Sequence, residues 1–187
     1  MRERIIAALT ELSHTRGFYN VTMDELASQA GMSKRTVYRY FSGKEEIIEA
    51  VLDEFMASVA GGIESIVNEE KSIADMVARL AKHFTKTGGR LLNPLVLNDL
   101  QVHYPHFWQK IERFRAEKIE FLIKQAMAKQ DLARDIHPQV FITAFIASVQ
   151  AVINPRFILD HGLTLDGAVH QLVELFSYGL VGRNDTG

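Results

Sequence analysis

The chain has 187 residues and a formal net charge of −2, and its 47% of hydrophobic residues suffice for one or two domains with a core. It contains no cysteine, which excludes disulfide bonds, thiolate metal sites and cysteine nucleophiles. The most apolar run, residues 140–153, is shorter than the ~20 residues of a membrane span, and the amino terminus lacks the apolar segment of a signal peptide. We therefore expect a cytoplasmic protein.

The first two predicted helices have well-marked ends. An amphipathic pattern begins near the amino terminus and stops at Gly17. Thr22 is suited to cap a second helix, and Glu25, three positions later, completes a capping box. Gly31 can adopt the left-handed backbone conformation that often ends a helix. The sequence therefore predicts a second helix between Thr22 and Gly31.

A short third helix and a long fourth helix follow. Ser33 predicts the start of the third helix, which ends near residue 41. Ser42 and Glu45 repeat the capping-box pattern and predict the start of the fourth helix. Its apolar face continues for several turns, and Gly61-Gly62 should weaken or bend it.

The remainder shows the same helical periodicity, interrupted by polar connections and by Pro and Gly. Further helices are predicted over about 73–84, 95–103, 105–131, 138–153 and 164–180. We expect Asn154-Pro155 and the sequence Asp-His-Gly at 160–162 to interrupt the chain between the last two. No stretch shows sustained period-two alternation, so the prediction is an all-α fold of about nine helices.

Residues 22–41 fit a helix-turn-helix. Ala27 supplies the small residue where the two helices touch, Gly31 the turn, and Val37 the apolar residue that docks the second helix. Leu26 and Phe41 extend the apolar side. The residues left at or near the exposed amino-terminal end of the second helix are Ser33, Lys34, Arg35, Thr36 and Arg39.

This exposed end has the chemistry of a DNA-reading surface. In a helix-turn-helix it enters the major groove, where Arg and Lys reach guanine O6 and N7 and a Thr methyl meets a thymine methyl. Tyr38, Tyr40 and Lys44 could bind phosphates beside the groove, and Thr22 and Lys44 lie at helix amino termini that favour phosphate. The alternatives are a solvated basic face, a Thr22 hydroxyl that only caps its helix, and a non-specific architectural DNA-binding protein.

The chain also resembles a known family, the TetR-family transcriptional regulators, in the stretch TMDELASQAGMSKRTVYRYFSGKEEIIEAV and more broadly over about residues 4–55. The resemblance implies a three-helix helix-turn-helix domain over 1–46 and an effector-binding and dimerisation domain over 47–187. It also implies a homodimeric repressor that binds a double-stranded DNA operator and is released by a small organic effector. The positions that fall where the family contacts DNA are Thr22, Ser33, Lys34, Arg35, Thr36, Tyr38, Tyr40 and Lys44. Arg35 stands where many members have a small residue and Tyr40 where His is frequent, and both positions bear on the operator sequence and not on DNA binding itself.

A dimer interface is expected near the carboxyl terminus. Residues 140–153 are apolar around the whole helix, and such a helix needs burial on every face. The candidate interface residues, which include a strip of small side chains, are Val140, Ala144, Ala147, Ala151, Leu172, Leu175 and Phe176. A dimer would place two reading helices about one DNA turn apart, roughly 34–36 Å, on a palindromic site. The alternative is a central core helix in a monomer.

Aromatic residues suggest an effector pocket, and the sequence gives no indication of an enzyme. The pocket candidates are Phe84, His103, Tyr104, Phe107 and Trp108. The alternative is that these aromatic residues belong to the core and that the histidines face solvent.

His103 and His106 are separated by Pro105 and have no third metal ligand, and Glu11 with His14 occurs once where a di-iron site needs two copies. We expect no catalysis, no metal and no cofactor.

Overall fold

The computed structural model describes residues 1–69, 76, 79–80, 82–83, 86, 91, 93–128 and 137–180. Its regular structure in these residues is entirely helical, which confirms the predicted all-α fold. The helices are α1 (Arg2–Arg16), α2 (Met23–Gln29), α3 (Lys34–Tyr38), α4 (Lys44–Glu69), α5 (Pro94–Val102), α6 (Pro105–Ala128), α7 (Pro138–Val152), α8 (Pro155–Asp160) and α9 (Leu165–Leu180). None of these nine described helices is both long and apolar enough to cross a membrane.

The first three helices pack around an apolar core. Leu9 of α1, Leu26 of α2 and Val37 of α3 are completely buried, and Phe18 and Phe41 close the core from the connecting segments. The same core continues into the first half of α4, which packs along α1. The apolar side chains on the inner faces of the short helices α2 and α3 thus anchor both helices in this shared core.

The long helix α4 belongs to two cores. Its first half contributes to the amino-terminal core, and its second half packs in a separate cluster with Met76 and Leu80. The helix continues through Gly61 and Gly62, so the expected weak point does not interrupt it. A Cβ atom on Gly62 would lie 2.1 Å from Nε2 of His83, so the lack of a side chain at Gly62 leaves room for the His83 ring.

The residues of the predicted helix 73–84 that are described are helical, and the others lie outside the described residues.

Helix α5 connects the amino-terminal helices with the rest of the chain. It contacts α1, α6 and α8. Asn93 caps it, since its Oδ1 accepts hydrogen bonds at 3.0 Å from the N–H groups of both Leu95 and Val96. Beyond α5, Tyr104 and Phe107 join the amino-terminal core. This core therefore combines side chains that are distant in the sequence, between residues 5 and 111.

The predicted interruption at Asn154-Pro155 is present, because α7 ends at Val152, but the short helix that follows it was not predicted. The segment after Asn154 forms helix α8, in which Ile158 is completely buried. Oδ1 of Asn154 accepts a hydrogen bond from the N–H of Arg156 at 3.0 Å, and Pro155 occupies the first turn. An Asn-Pro pair that reads as a helix breaker is also a good start for a helix, because Asn caps the amino terminus and proline has no N–H to leave unpaired.

Candidate nucleic-acid interface

The predicted capping box of α2 is present. The backbone N–H of Glu25 donates to Thr22 Oγ1 at 3.3 Å, and the backbone N–H of Thr22 donates to Glu25 Oε2 at 3.0 Å. The Thr22 hydroxyl also donates to the same carboxylate oxygen, and Arg16 pairs with the other one. Hydrogen bonds from the Thr22 backbone and hydroxyl, with a further one from Arg16, lower the pKa of Glu25 from 4.5 to about 2. The Thr22 hydroxyl is thus engaged within its own helix.

The turn between α2 and α3 has the geometry that its sequence predicts. Gly31 has φ 63°, in the left-handed region, and the N–H of Met32 donates to the carbonyl of Ala27 at 3.0 Å. A residue that sequence analysis missed completes the turn: Arg4 Nη2 donates to the carbonyl of Ala30 at 2.7 Å. This contact joins residues 26 positions apart, and nothing in the local pattern indicates it.

One face of helix α3 is buried in the core, and the opposite face is exposed to solvent. Ser33 caps it as predicted, since its Oγ accepts a hydrogen bond from the N–H of Thr36 at 3.1 Å. Val37 and Phe41 anchor the inner face in the core. The exposed basic and aromatic side chains of this segment are Lys34, Arg35, Tyr38, Arg39 and Tyr40. Buried apolar residues therefore hold a short helix that turns basic and aromatic groups to solvent.

The positively charged side chains of this surface differ in whether they contact other groups of the protein. Lys34 Nζ donates to Asp24 Oδ2 at 2.9 Å, and this hydrogen bond raises the pKa of Lys34. The side chains of Arg35 and Arg39, by contrast, form no hydrogen bond or ion pair with any residue that the structure describes. These two guanidinium groups can therefore engage phosphate or base edges without first breaking a protein contact.

Lys44 has a structural function that the sequence did not reveal. Its Nζ donates to the carbonyls of Tyr19 and Val21 at 2.7 and 2.9 Å, and it lies 5.8 Å from the centre of the Tyr19 ring. Burial lowers the pKa of Lys44, and the nearby charge of Asp99 opposes this effect. The ammonium group holds the loop between α1 and α2, and phosphate binding by Lys44 stays a prediction.

The second predicted capping box pairs differently from the expectation. The backbone N–H and the hydroxyl of Ser42 donate to Glu46 Oε2 at 2.6 and 2.8 Å, so the partner is Glu46 and not Glu45. Because α4 begins at Lys44, Ser42 lies one position further from the helix than the pattern assumed, and the residue four positions later reaches it. Hydrogen bonds from Ser42 lower the pKa of Glu46.

The structure distributes the proposed pocket residues among different surroundings. Tyr104 and Phe107 are core residues, and Trp108 packs against the same core. His103 is exposed and stacks on Tyr19, with ring centroids 3.6 Å apart. Phe84 lies outside the described residues. These placements match the alternative of core aromatic residues and an exposed imidazole.

A cavity lies elsewhere, between α6 and α7. Its volume is about 360 Å³. The lining residues are Glu112, Arg115, Ala116, Ile119, Glu120, Ile123, Gln139, Ile146 and Gln150. Arg115 Nη2 donates to Glu112 Oε2 at 2.5 Å. The combination of aliphatic walls with a few charged and amide groups is typical of sites for organic ligands.

The two histidines considered as metal ligands have separate neighbours. His103 stacks on Tyr19, whereas His106 Nε2 lies 3.7 Å from Glu45. Within the described part of the chain, no group of three or more His, Asp or Glu side chains is arranged to hold a metal ion.

Most of the proposed interface residues on α7 and α9 are uncovered in the single chain. Val140 and Leu175 each expose 65% of their surface, whereas Leu172 is buried and Phe176 is half-buried. The three alanines of the strip, Ala144, Ala147 and Ala151, are exposed. An edge-to-face contact between Phe145 and Phe176, with centroids 5.0 Å apart, joins the two helices. An apolar strip along α7 therefore faces solvent.

Comparisons with known proteins agree with this geometry. The family model for bacterial regulatory proteins of the tetR family matches residues 5–51. The HTH-type transcriptional regulator YvaF of Bacillus subtilis (strain 168) is 30% identical over 183 residues, which cover 96% of this chain and 95% of that relative. The nucleoid occlusion factor SlmA of Photobacterium profundum is 27% identical over 135 residues, or 70% of this chain and 68% of SlmA.

A solved structure shows the same fold. The transcriptional regulator FadR of Bacillus subtilis in complex with stearoyl-CoA superposes with a TM-score of 0.66 at 17% identity, and the match covers 96% of this chain and 99% of FadR. The matched family segment contains most of α1, all of α2 and α3, and the start of α4, and the match to YvaF extends the relationship over nearly the whole chain. The chain therefore belongs to the tetR family of bacterial regulatory proteins and is a DNA-binding transcriptional regulator.

Proposed function

We propose that the protein is a homodimeric repressor that binds a palindromic operator and is released by a small organic effector. One observation carries the DNA-reading part of this proposal: Arg35 on the exposed face of α3 and Arg39 just after the helix have side chains without a partner among the described residues, and Val37 and Phe41 anchor this segment in the core. Such cations are suited to bidentate contacts with guanine and to phosphate contacts. Residues 1–46 are the DNA-binding domain in this proposal, and residues 47–187 the effector-binding and dimerisation domain.

The residues of the reading surface divide into two roles. Base reading is assigned to Ser33, Lys34, Arg35 and Thr36 at the amino-terminal end of α3 and to Arg39, which directly follows its carboxyl end. Phosphate contacts are assigned to Thr22, Tyr38, Tyr40 and Lys44. Tyr38 and Tyr40 are 48% and 40% exposed, which leaves their side chains able to reach a DNA backbone beside the groove. Lys34 would exchange its contact with Asp24 for one with DNA.

The dimer is supported by the uncovered apolar strip on α7. Small residues at Ala144, Ala147 and Ala151 allow the backbone of a partner helix to approach closely, and the exposed Val140 and Leu175 supply larger apolar contacts. An apolar strip of this kind is typical of an interaction surface. In the proposed dimer, α7 and α9 of two copies form a four-helix interface with Leu172 and Phe176 at its inner side.

The cavity between α6 and α7 is the proposed effector site. Ile119, Ile123 and Ile146 provide apolar walls, and the ion pair of Arg115 and Glu112 provides polar groups. The structurally similar FadR binds stearoyl-CoA. We accordingly propose an amphipathic organic effector, whose apolar part contacts the isoleucines.

Helix α6 gives the effector a mechanical connection to the DNA-binding helices. Lys110 of α6 bridges two carboxylates of α4, with its Nζ 2.9 Å from Glu49 Oε1 and 2.8 Å from Asp53 Oδ1. A displacement of α6 by the effector would therefore move α4 and change the spacing of the two α3 helices. Release follows only if the effector binds better to the arrangement that does not fit the operator.

A random-sequence selection tests the proposed operator. The purified protein selects duplexes from a randomised library, and the enriched sequences are determined. We expect two inverted half-sites whose centres lie about one DNA turn, roughly 34–36 Å, apart. Enrichment of a single half-site would contradict the dimer, and no enrichment at all would favour non-specific architectural binding.

A cavity-filling substitution tests the effector site. In Ile146→Trp the indole would occupy the space between α6 and α7, whereas operator binding without effector should be unchanged. We expect stearoyl-CoA, if it weakens operator binding by the wild-type protein, to lose this effect on the variant. Unaltered release of the variant would exclude this cavity as the effector site, and Ile158→Val, in the buried core of α8, serves as the control for general changes in packing.

A further inference from the structure

The loop between α1 and α2 is held by a carboxylate from a distant helix. Asp99 of α5 accepts a hydrogen bond from the backbone N–H of Tyr19 at 2.8 Å, across a separation of 80 residues. Asp99 is only 7% exposed. A hydrogen bond to an ionised carboxylate is stronger than one between neutral groups, and burial keeps water from competing for it.

Gly17 makes this contact possible. It has φ 70°, in the left-handed region, and a Cβ atom there would lie 2.2 Å from Asp99 Oδ2. No other residue type would leave room for the carboxylate at this position. The loop backbone and α5 therefore fit each other closely at one defined point.

Two further contacts join α5 and its flanks to the same region. The His103 ring, one turn after Asp99, stacks on the Tyr19 ring with an interplanar angle of 11°. Before α5, Asn93 Nδ2 donates to the carbonyl of Ser13 at 3.4 Å, near the end of α1. The connection between α5 and the DNA-binding helices thus extends along the whole length of α5.

The loop is also held from its opposite side. Lys44 donates to the carbonyl of Tyr19 at 2.7 Å, so the N–H of Tyr19 is bound by a carboxylate and its C=O by an ammonium group. Lys44 binds the carbonyl of Val21 as well. Thr22, the cap of α2, follows directly. Two opposite charges, from α4 and α5, thereby fix the backbone that leads into α2.

We infer that Asp99 is a positioning residue for DNA binding. It fixes the Tyr19 peptide, and through it the positions of Lys44 and Thr22, the two groups at helix amino termini that are proposed to bind phosphate. The inference rests on those proposed phosphate contacts. Because phosphate contacts carry no sequence information, loss of Asp99 should weaken binding to every duplex by the same factor.

The test compares Asp99→Ala, Asp99→Asn and the control Asn98→Ala, which alters an exposed neighbour on α5. Fluorescence anisotropy measures affinity for a duplex selected from a random library and for its scrambled version, at a temperature where circular dichroism shows every variant folded. We expect Asp99→Ala to weaken binding to both duplexes about tenfold, a factor equivalent to 1.4 kcal/mol. Asp99→Asn keeps an oxygen acceptor and should remain within about threefold of the wild-type protein, and Asn98→Ala should match the wild-type protein.

The backbone contact itself has a spectroscopic signature. In ¹H–¹⁵N spectra, the Tyr19 amide should move upfield in Asp99→Ala and stay near its wild-type position in Asp99→Asn. If Asp99→Ala does not fold, Gly17→Ala provides the second variant, because its methyl group would displace the carboxylate while the sequence of α5 stays the same. We expect the same uniform loss of affinity for it.

The outcomes separate this inference from the proposed function. Wild-type affinity in folded Asp99→Ala, or an equal loss in Asp99→Asn and Asp99→Ala, would overturn the positioning role. A loss confined to the selected duplex would overturn it too, since it would place Asp99 in base reading. Equal binding of both duplexes by the wild-type protein would refute sequence-specific regulation, whereas the comparison of variants on either duplex would still decide the role of Asp99.

Discussion

Replacing Lys44 by methionine should separate its structural function from DNA binding. Lys44→Met retains a long apolar side chain but removes the ammonium group that binds the carbonyls of Tyr19 and Val21. The matched control is Arg35→Met, at an exposed residue without a partner among the described side chains and backbone groups. Both variants lose one positive charge from the proposed DNA surface, so only the loss of the carbonyl contacts distinguishes their stability.

The size of the stability change follows from these contacts. A hydrogen bond to a charged group contributes about 1.5–3 kcal/mol when it is buried. Because Lys44 is only partly buried, we reduce the expected loss for both contacts together to about 1–2 kcal/mol. In a chain of this size, 1 kcal/mol shifts the melting temperature by about 2–4 °C, so Lys44→Met should melt about 2–8 °C lower. Arg35→Met should stay within about 0.5 kcal/mol of the wild-type protein.

Thermal unfolding followed by circular dichroism measures this difference at one fixed protein concentration, since a dimer makes the melting temperature depend on concentration. Anisotropy on the same samples gives the DNA affinities. Lys44→Met should weaken binding to all duplexes alike and flatten the salt slope by ~1, whereas Arg35→Met should lose about 1–3 kcal/mol at particular base pairs. Equal melting temperatures for the two variants would refute the structural function assigned to Lys44.

Three further predictions concern the turn, the cap and the dimer. Gly31→Ala should lower the free energy of unfolding by about 1–2 kcal/mol in urea titrations, because alanine is strained in the left-handed region; an unchanged midpoint would contradict the turn geometry. Glu25 has a folded-state pKa of about 2 against an ordinary 4.5, so its stabilisation is present above pH 4.5 and is lost as the pH falls from there towards 2; Glu25→Gln should remove this part of the acid titration followed by circular dichroism. If the protein is the proposed dimer, Leu175→Glu should convert it to a monomer in sedimentation experiments, and a persistent dimer would exclude the α7–α9 interface.

Local features of the fold were predictable because their partners lie close together in the sequence. Thr22 and Glu25 are three positions apart, so the capping box could be recognised before any tertiary contact was known. The same holds for Gly31, whose conformation is required by the turn itself. The apolar spacing of Val37 and Phe41 likewise indicated the buried side of α3 and thereby the exposed one.

Tertiary contacts between polar groups were not predictable. Arg4 reaches the carbonyl of Ala30, and Asp99 reaches the N–H of Tyr19, but a lone Arg or Asp on a helix has no local pattern that names a distant backbone partner. Aromatic composition was also an ambiguous guide, because Tyr104 suits a pocket wall and a core equally well and the structure places it in the core. The cavity depends on the distance between α6 and α7, which neither helix specifies alone.

A shift of one position explains the error at the start of α4. Ser42 and Glu45 have the spacing of a capping box, but the helix begins only at Lys44, and Glu46 is the carboxylate that reaches Ser42. Helix boundaries inferred from sequence are uncertain by a few residues, and a capping partner changes with the boundary. The nature of the contact was therefore predictable, whereas the residue that makes it was not.

The central claim is that the exposed face of α3 reads a DNA sequence, and the affinity ratio between a selected duplex and its scrambled version tests it most directly. Anisotropy titrations over a salt series measure this ratio for the wild-type protein and for Arg35→Ala. We expect a strong preference for the selected duplex, a steep salt dependence on both, and a ratio about 5- to 150-fold smaller in Arg35→Ala, as a loss of about 1–3 kcal/mol at specific bases requires. An unchanged ratio in Arg35→Ala would contradict the claim.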